Sequence, residues 1–136
     1  GLPPCIRLNG TSDLPWENIK LDGKSTIDAF PAIQFYDYTK SPARIDKFIN
    51  GKMPANYHLT FSRSEDTPND YVENIIERGG NVAVVYANAL PAQDFNAEVI
   101  SGDETDLRFL DKRGVVVGLT AKGDAAKDTS GFVLVA

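Results

Sequence analysis

Polar side chains of this 136-residue chain gather where its predicted strands end, and their types fit the binding of an anion. Several are cationic, and cations beside helix N-termini, where backbone N–H groups are free, attract negatively charged ligands. We therefore predict a ligand-binding rim formed by Asn9, Asp13, Asp37, Lys40, Ser62, Arg63 and Lys122. Two simpler interpretations stay open. The cations are solvated side chains, or they form ion pairs, Asp37 with Lys40 and Glu65 with Arg63, which contribute little at a surface.

Histidine chemistry is limited to one residue, His58, which lies inside a predicted strand. A lone histidine in a strand is more often packed and hydrogen-bonded than a general base, and a Ser-His-Asp triad would have to use it. A cluster of histidine ligands for a metal is excluded. The acidic segment 101–106 offers carboxylates for Mg²⁺ or Ca²⁺, but its spacing differs from that of an EF-hand loop, so we interpret it as a turn. The sequence assigns no catalytic residue and no metal site.

Composition excludes several classes of protein. The net charge of −5 argues against binding of duplex DNA, which depends on clustered Lys and Arg. Cys5 is the one cysteine, so an internal disulfide and a zinc site of paired cysteines are excluded, and a reducing compartment, the cytoplasm, fits best. No apolar run approaches the roughly 18 residues of a membrane-spanning helix. Neither a P-loop nor a Gly-x-Gly-x-x-Gly turn is present, so no cofactor is predicted.

Helix signals recur along the first two thirds of the chain. A helix over 68–78 is predicted from Thr67 as the cap, a proline at the first position and a glycine after the end. Ser41 and the residues that follow repeat this pattern up to Gly51, and a poorer example begins near Asp13, with Pro15 at its start. Asp13, Ser41 and Thr67 are accordingly interpreted as caps before any other role.

Short runs of β-branched and aromatic residues precede or follow these helices, at 5–8, 33–38, 57–61 and 82–86. Strands that alternate with helices predict a mainly parallel sheet with right-handed crossovers, in which the carboxyl ends of the strands meet at one rim. The last third is less regular and β-rich, with strands expected at 97–100, 108–110, 115–119 and 132–135. The segment 115–119 is a candidate fifth parallel strand, and 108–110 is a candidate hairpin partner for it. Aromatic residues on the strands are interpreted as core: Phe35, Tyr36, Tyr38, Tyr57 and Phe61.

The segments 7–17, 35–40, 58–62 and 81–86 resemble phage and plasmid proteins described as gene product eighty-eight, and more distantly radical-SAM-like barrels. Relatives of this type carry an upstream cysteine-rich segment, which in the radical-SAM interpretation would hold an iron–sulfur cluster. Cys5 alone cannot supply the ligands of such a cluster. A closed barrel needs eight βα units and this chain offers four or five. We therefore expect a single α/β domain over 1–136 that is a fragment or truncated relative of a larger, barrel-like protein.

The resemblance implies a phage-type protein and assigns no reaction, so three functions stay open. The first is a ligand-binding or degenerate enzyme-like domain whose polar site lies at the strand ends. The second is a non-catalytic module that binds protein or single-stranded nucleic acid. The third is a structural unit that associates with copies of itself, because a partial barrel leaves strand edges uncovered.

Overall fold

The computed structural model describes residues 4–10, 12–122 and 128–135. Two single turns of 3-10 helix lie at Trp16–Asn18 and Arg108–Leu110. The helices are α1 (Thr26–Ala29), α2 (Pro42–Ile49) and α3 (Asn69–Glu77). The strands are β1 (Cys5–Arg7), β2 (Lys20–Leu21), β3 (Lys24–Ser25), β4 (Gln34–Thr39), β5 (Tyr57–Ser62), β6 (Val82–Tyr86), β7 (Gln93–Asp94), β8 (Ala97–Ser101), β9 (Val116–Thr120) and β10 (Val133–Leu134).

An eight-stranded open sheet organises the described residues, in the order β1-β4-β5-β6-β9-β8-β7, with β10 beside β6. Every neighbouring pair in it is parallel except β7 with β8. A separate hairpin joins β2 and β3. The predicted mixed α/β class with a mainly parallel sheet is confirmed, and the sheet is open rather than closed into a barrel.

Helix α2 forms where its local signals predict it. The Ser41 side chain accepts a hydrogen bond from the Arg44 backbone N–H, Pro42 occupies the first position, and Gly51 follows the end with a φ of +72°. For α3 the predicted cap is wrong. The helix begins after Pro68 without a side-chain cap, and the Thr67 hydroxyl accepts a hydrogen bond from the Ser64 backbone N–H instead.

The third predicted helix, near Asp13, is wrong. That stretch contains one 3-10 turn, the β2–β3 hairpin and the four-residue α1. The Asp13 carboxylate does not cap a helix of its own, because it accepts hydrogen bonds from Thr39 and Lys40 at the end of β4. The Asp13 carboxylate, which the prediction assigns as a helix cap, is therefore used in a tertiary contact instead.

The two faces of the sheet are covered differently. One face, here the helix face, carries Phe35, Leu59 and Val84 and packs against α2 and α3 in the main core. The opposite face, here the open face, carries Tyr38, Ser62, Ala83, Val85 and Leu119, which the strand register and the alternation of side chains place together. Val116 and Val117, on opposite faces of β9, are both fully buried, as expected for a central strand.

The segment 102–113 is the crossover from β8 back to β9, and its 3-10 turn covers the part of the open face around Tyr36. The strand predicted at 108–110 is wrong, because these residues form a 3-10 turn that packs on the sheet. Within it Arg108 is fully buried, and the Phe109 ring lies 5.6 Å from the Tyr36 ring. Beyond β6 the order of the strands in the sheet runs opposite to their order in the chain, because β9 lies between β6 and β8. In open α/β sheets, a reversal of this kind opens a crevice at the carboxyl ends of the strands.

Candidate functional site

A cavity of about 360 Å³ lies on the open face, lined by Tyr38, Ser62, Ala83, Val85 and Leu119 among others. Its floor comes from the central strands. Ser62, Val85 and Leu119 lie at or next to the carboxyl ends of β5, β6 and β9, and Ala83, the second residue of β6, lies beside Ser62 in the register. The rings of Tyr38 and Phe132 also line it. The prediction that Tyr38 is a core residue therefore holds only in part, because its ring is half-buried and borders this space.

Two cations stand at the rim of the cavity. The Arg7 guanidinium carbon lies 5.0 Å from the centre of the Tyr38 ring, and its Nε donates to the Asn9 carbonyl over 3.0 Å. The Lys40 ammonium lies 5.2 Å from the centre of the Phe132 ring. Within the part of the chain that the structure describes, neither cation belongs to an ion pair. Both charges are thus held against aromatic faces and stay available to a ligand.

Asp13 is the carboxylate that lines the cavity, and it is fully engaged by the protein. It accepts from the Arg44 guanidinium at 2.6 Å, from the Lys40 backbone N–H at 2.8 Å and from the Thr39 hydroxyl at 2.9 Å. Burial alone would raise the pKa of Asp13, but these hydrogen bonds and the Arg44 charge outweigh it and hold the pKa below its usual value. Asp13 is therefore an ionised structural acceptor that closes the β1 loop onto the end of β4.

Arg44 continues this network into the interior. Its guanidinium pairs with the buried Glu17 carboxylate through bonds of 2.9 and 3.2 Å, and it donates to the Tyr57 hydroxyl over 2.8 Å. Tyr57 in turn donates to the Asp37 carboxylate. Burial raises the pKa of Asp37, although the Tyr57 and Asn9 hydrogen bonds oppose the shift. The chain of contacts forms the wall behind the cavity.

Asn9 is the junction between this wall and the β1 loop. Its backbone N–H donates to Asp37 over 2.8 Å, and its side-chain oxygen accepts from the Trp16 indole N–H over 2.9 Å. Asn9 and Asp37 are both almost completely buried. They hold the loop in place and do not line the cavity.

The structure brings together part of the predicted rim. Asp13, Lys40 and Ser62 line one cavity, and Asn9 and Asp37 lie directly behind it. Lys122 borders an adjoining cavity.

Arg63 is placed elsewhere, because it donates to the carbonyls of Gly131 and Phe132 at 2.9 Å each and is 7% exposed. The alternative pairs of Asp37 with Lys40 and of Glu65 with Arg63 are not among the ion pairs of the described residues.

Sequence reasoning missed Arg7 and Phe132. Arg7 stands opposite Tyr36 in the parallel register, so strand alternation places it on the same face as Tyr38. That signal was available once β1 and β4 were recognised as neighbours. Phe132 carries no local signal, because its position depends on the pairing of β10 with β6 across more than forty residues.

His58 lies at the amino ends of the strands, away from this cavity. It borders a second cavity with Phe48, whose ring contacts the imidazole edge to face at 5.0 Å. Burial, and then the charges of Arg113 and Arg108, lower the pKa of His58 to about 4, so the imidazole is neutral at pH 7. Among the described residues, no group of three or more His, Cys, Asp or Glu side chains is placed to hold a metal ion. Within the same residues, no helix has the length and apolar character needed to cross a bilayer.

Fold and site together define an open, mainly parallel α/β-sheet protein with a cavity at the carboxyl ends of its central strands. A comparison with protein families finds that the family model described as Gene product 88 matches residues 1–136. The chain therefore belongs to this family of phage-type proteins. The comparisons with curated proteins and with solved structures found no match.

Proposed function

We propose that the chain is a ligand-binding domain whose cavity accepts a small molecule with an apolar, ring-containing body and an acidic group. The distribution of charge around the cavity carries this proposal. Arg7 and Lys40 stand at the rim without a carboxylate partner among the described residues, whereas Asp13 is already paired with Arg44. In a protein of net charge −5, this leaves a locally positive cavity with a mainly apolar lining.

The position and size of the cavity support the same proposal. Open α/β sheets bind ligands in the crevice at the carboxyl ends of their strands, where the chain order reverses. A volume of about 360 Å³ is within the range of small-molecule sites. The small side chains of Ser62 and Ala83 give the cavity its depth over the sheet.

The test uses 8-anilinonaphthalene-1-sulfonate, an aromatic sulfonate whose fluorescence rises in an apolar site. We expect saturable one-to-one binding to the native protein. Ala83→Leu fills the floor of the cavity and should weaken binding at least tenfold. Lys40→Gln removes one rim charge and should weaken it about three- to tenfold, because a partly exposed charge pair is worth roughly 1 kcal/mol.

Ala43→Leu is the matched control, since Ala43 is exposed on α2 and does not line the cavity. Circular dichroism and the thermal midpoint show that each variant is folded. Absence of saturable binding, or equal binding by wild type and a folded Ala83→Leu variant, would contradict the proposal.

Other parts of the sequence-based hypothesis remain proposals. Self-association is supported by the edge strand β1, where Ile6 is 42% exposed, and a concentration-independent monomer in sedimentation velocity would end it. A distant kinship with radical-SAM-like barrels remains a proposal from the sequence resemblance, and the sheet of the described residues is open rather than closed into a barrel. Location in the host cytoplasm also remains a proposal, supported by the single cysteine, Cys5, which fits a reducing compartment.

A further inference from the structure

A second cavity of about 420 Å³ adjoins the first one. The two share Val85, Leu119 and Phe132, and Lys122 also borders the second cavity. Together they form a groove along the carboxyl ends of the strands, with Phe132 at the junction.

Cations and aromatic rings line this groove together. Arg7 lies over the Tyr38 ring, Lys40 lies over the Phe132 ring, and Lys122 borders the second cavity. A ligand that matches this lining carries both planar rings and acidic groups. Aromatic side chains interleaved with cations are how proteins bind single-stranded nucleic acid, because the rings stack with bases while the cations attract the phosphates.

The acidic residues of the second cavity limit the length of such a ligand. The Asp103 carboxylate accepts from the Thr120 backbone N–H at 3.1 Å and from its hydroxyl at 2.9 Å, so it is occupied within the protein. Asp106 also borders the cavity and is exposed. A long polyanion would be repelled there and by the net charge of −5, whereas a short ligand needs only the three cations.

We propose, resting on the function proposed above, that the groove binds two planar rings that are joined by one phosphate and carry a second phosphate at one end. This chemistry is that of a dinucleotide or of a short stretch of single-stranded nucleic acid. The central phosphate would lie near Lys40, between the rings that contact Tyr38 and Phe132, the terminal phosphate would lie near Lys122, and the other end of the ligand would lie near Arg7.

Isothermal titration of the native protein with three probes tests this proposal: thymidine 5′-monophosphate, the dinucleotide pTpT and the octamer (dT)₈. We expect pTpT to bind at least tenfold more tightly than the monophosphate. The logarithm of its association constant should fall with the logarithm of salt concentration with a slope of about −1.4, because each of its two phosphates contributes roughly −0.7. An octamer no tighter than pTpT identifies a free dinucleotide as the ligand type, and a tighter octamer identifies a nucleic-acid strand.

Variants separate the two ends of the groove. Lys122→Gln should weaken pTpT several-fold and leave the monophosphate unchanged, whereas Lys40→Gln should weaken both. Phe132→Leu keeps an apolar side chain but removes the ring, and should weaken pTpT. Lys24→Gln is the control, since Lys24 is an exposed lysine on β3 outside the groove.

The outcomes distinguish this inference from the proposed function. If pTpT binds no more tightly than the monophosphate, or if no nucleotide binds while the aromatic sulfonate does, the groove inference is overturned and the proposed function stands. If neither the sulfonate nor any nucleotide binds, both fall.

Discussion

Replacing Arg44 by Met breaks the network behind the cavity at its centre. The Arg44 side chain is 7% exposed and its partner Glu17 is 3% exposed, so the pair is shielded from water. Methionine fills much of the same space but leaves the Glu17 carboxylate buried without its cation. Removing one partner of a buried pair costs roughly 3–5 kcal/mol, and we expect a loss of this size in the free energy of unfolding at pH 7.

A double variant, Arg44→Met with Glu17→Leu, separates the cost of an orphaned charge from the value of the pair. Replacing both members of a buried pair by apolar groups is often close to neutral, so the double variant should recover most of the loss. Asp13 also loses a partner in both variants, but its side chain is 33% exposed and can be solvated. Tyr57 and Asn9 still donate to Asp37, so that buried carboxylate keeps its hydrogen-bond partners.

Urea unfolding followed by circular dichroism and by the fluorescence of Trp16, the single tryptophan, measures all four members of this cycle. The difference between the double variant and the sum of the single ones gives the coupling energy. A loss below about 1 kcal/mol for Arg44→Met would refute the reasoning, because a buried carboxylate without its cation costs more than that. A double variant no more stable than Arg44→Met would refute the assignment of that cost to Glu17.

His58 should make stability depend on pH. Its pKa of about 4 in the folded protein lies below the value of 6.5 in the unfolded chain, so only the unfolded chain takes up a proton as the pH falls through this interval. Urea unfolding should show that the free energy of unfolding falls by at most about 2 kcal/mol from pH 7.5 to pH 5.0, and that His58→Gln removes this fall. The same fall in the variant would contradict its assignment to His58. Replacing the buried pair Arg108 and Asp111 by Met and Leu should leave the calorimetric midpoint unchanged or raise it. The reason is that two nitrogens of the Arg108 guanidinium lack hydrogen-bond partners among the described residues. A loss above about 2 kcal/mol in the free energy of unfolding would contradict this. The exposed Asn96 has a φ of +59°, a backbone conformation that a β-branched residue rarely adopts. Asn96→Val should therefore cost about 1–2 kcal/mol of stability in thermal unfolding, whereas Asn96→Gly should not destabilise the protein. Equal effects of the two substitutions would argue against this turn geometry.

The parallel sheet could be predicted from the sequence because its signals are local. Ser41 with Pro42 marks the start of α2, and β-branched runs mark the central strands, so alternation alone fixes the class of the fold. The predictions at Asp13 and at 108–110 failed for the opposite reason. Partners distant in sequence decide those segments: Thr39 and Lys40 bind Asp13, and the Phe109 ring packs on Tyr36.

The candidate site was predictable only to the level of the strand ends. Because the carboxyl ends of parallel strands meet at one rim, Asp13, Lys40 and Ser62 line one cavity, as predicted. The side chains of Ser62 and Arg63 follow each other along the chain, however, and successive side chains of an extended chain point to opposite faces. Ser62 therefore lines the cavity on the open face, whereas the Arg63 side chain does not line it and donates to the Phe132 carbonyl. The prediction places both residues in one binding rim.

Two of the buried arginines, Arg44 and Arg63, explain why the cations of the rim stay available. Arg44 holds Asp13, and Asp13 accepts from the Lys40 backbone N–H, so the position of Lys40 is fixed without use of its ammonium group. Arg63 holds the carbonyls of Gly131 and Phe132, which fixes the ring beside which that ammonium lies. The buried Arg44 pairs with the Asp13 carboxylate, and the contacts of Arg7 within the β1 loop are to neutral carbonyl groups. A ligand therefore meets a preorganised rim whose charge is not neutralised by a carboxylate of the described residues.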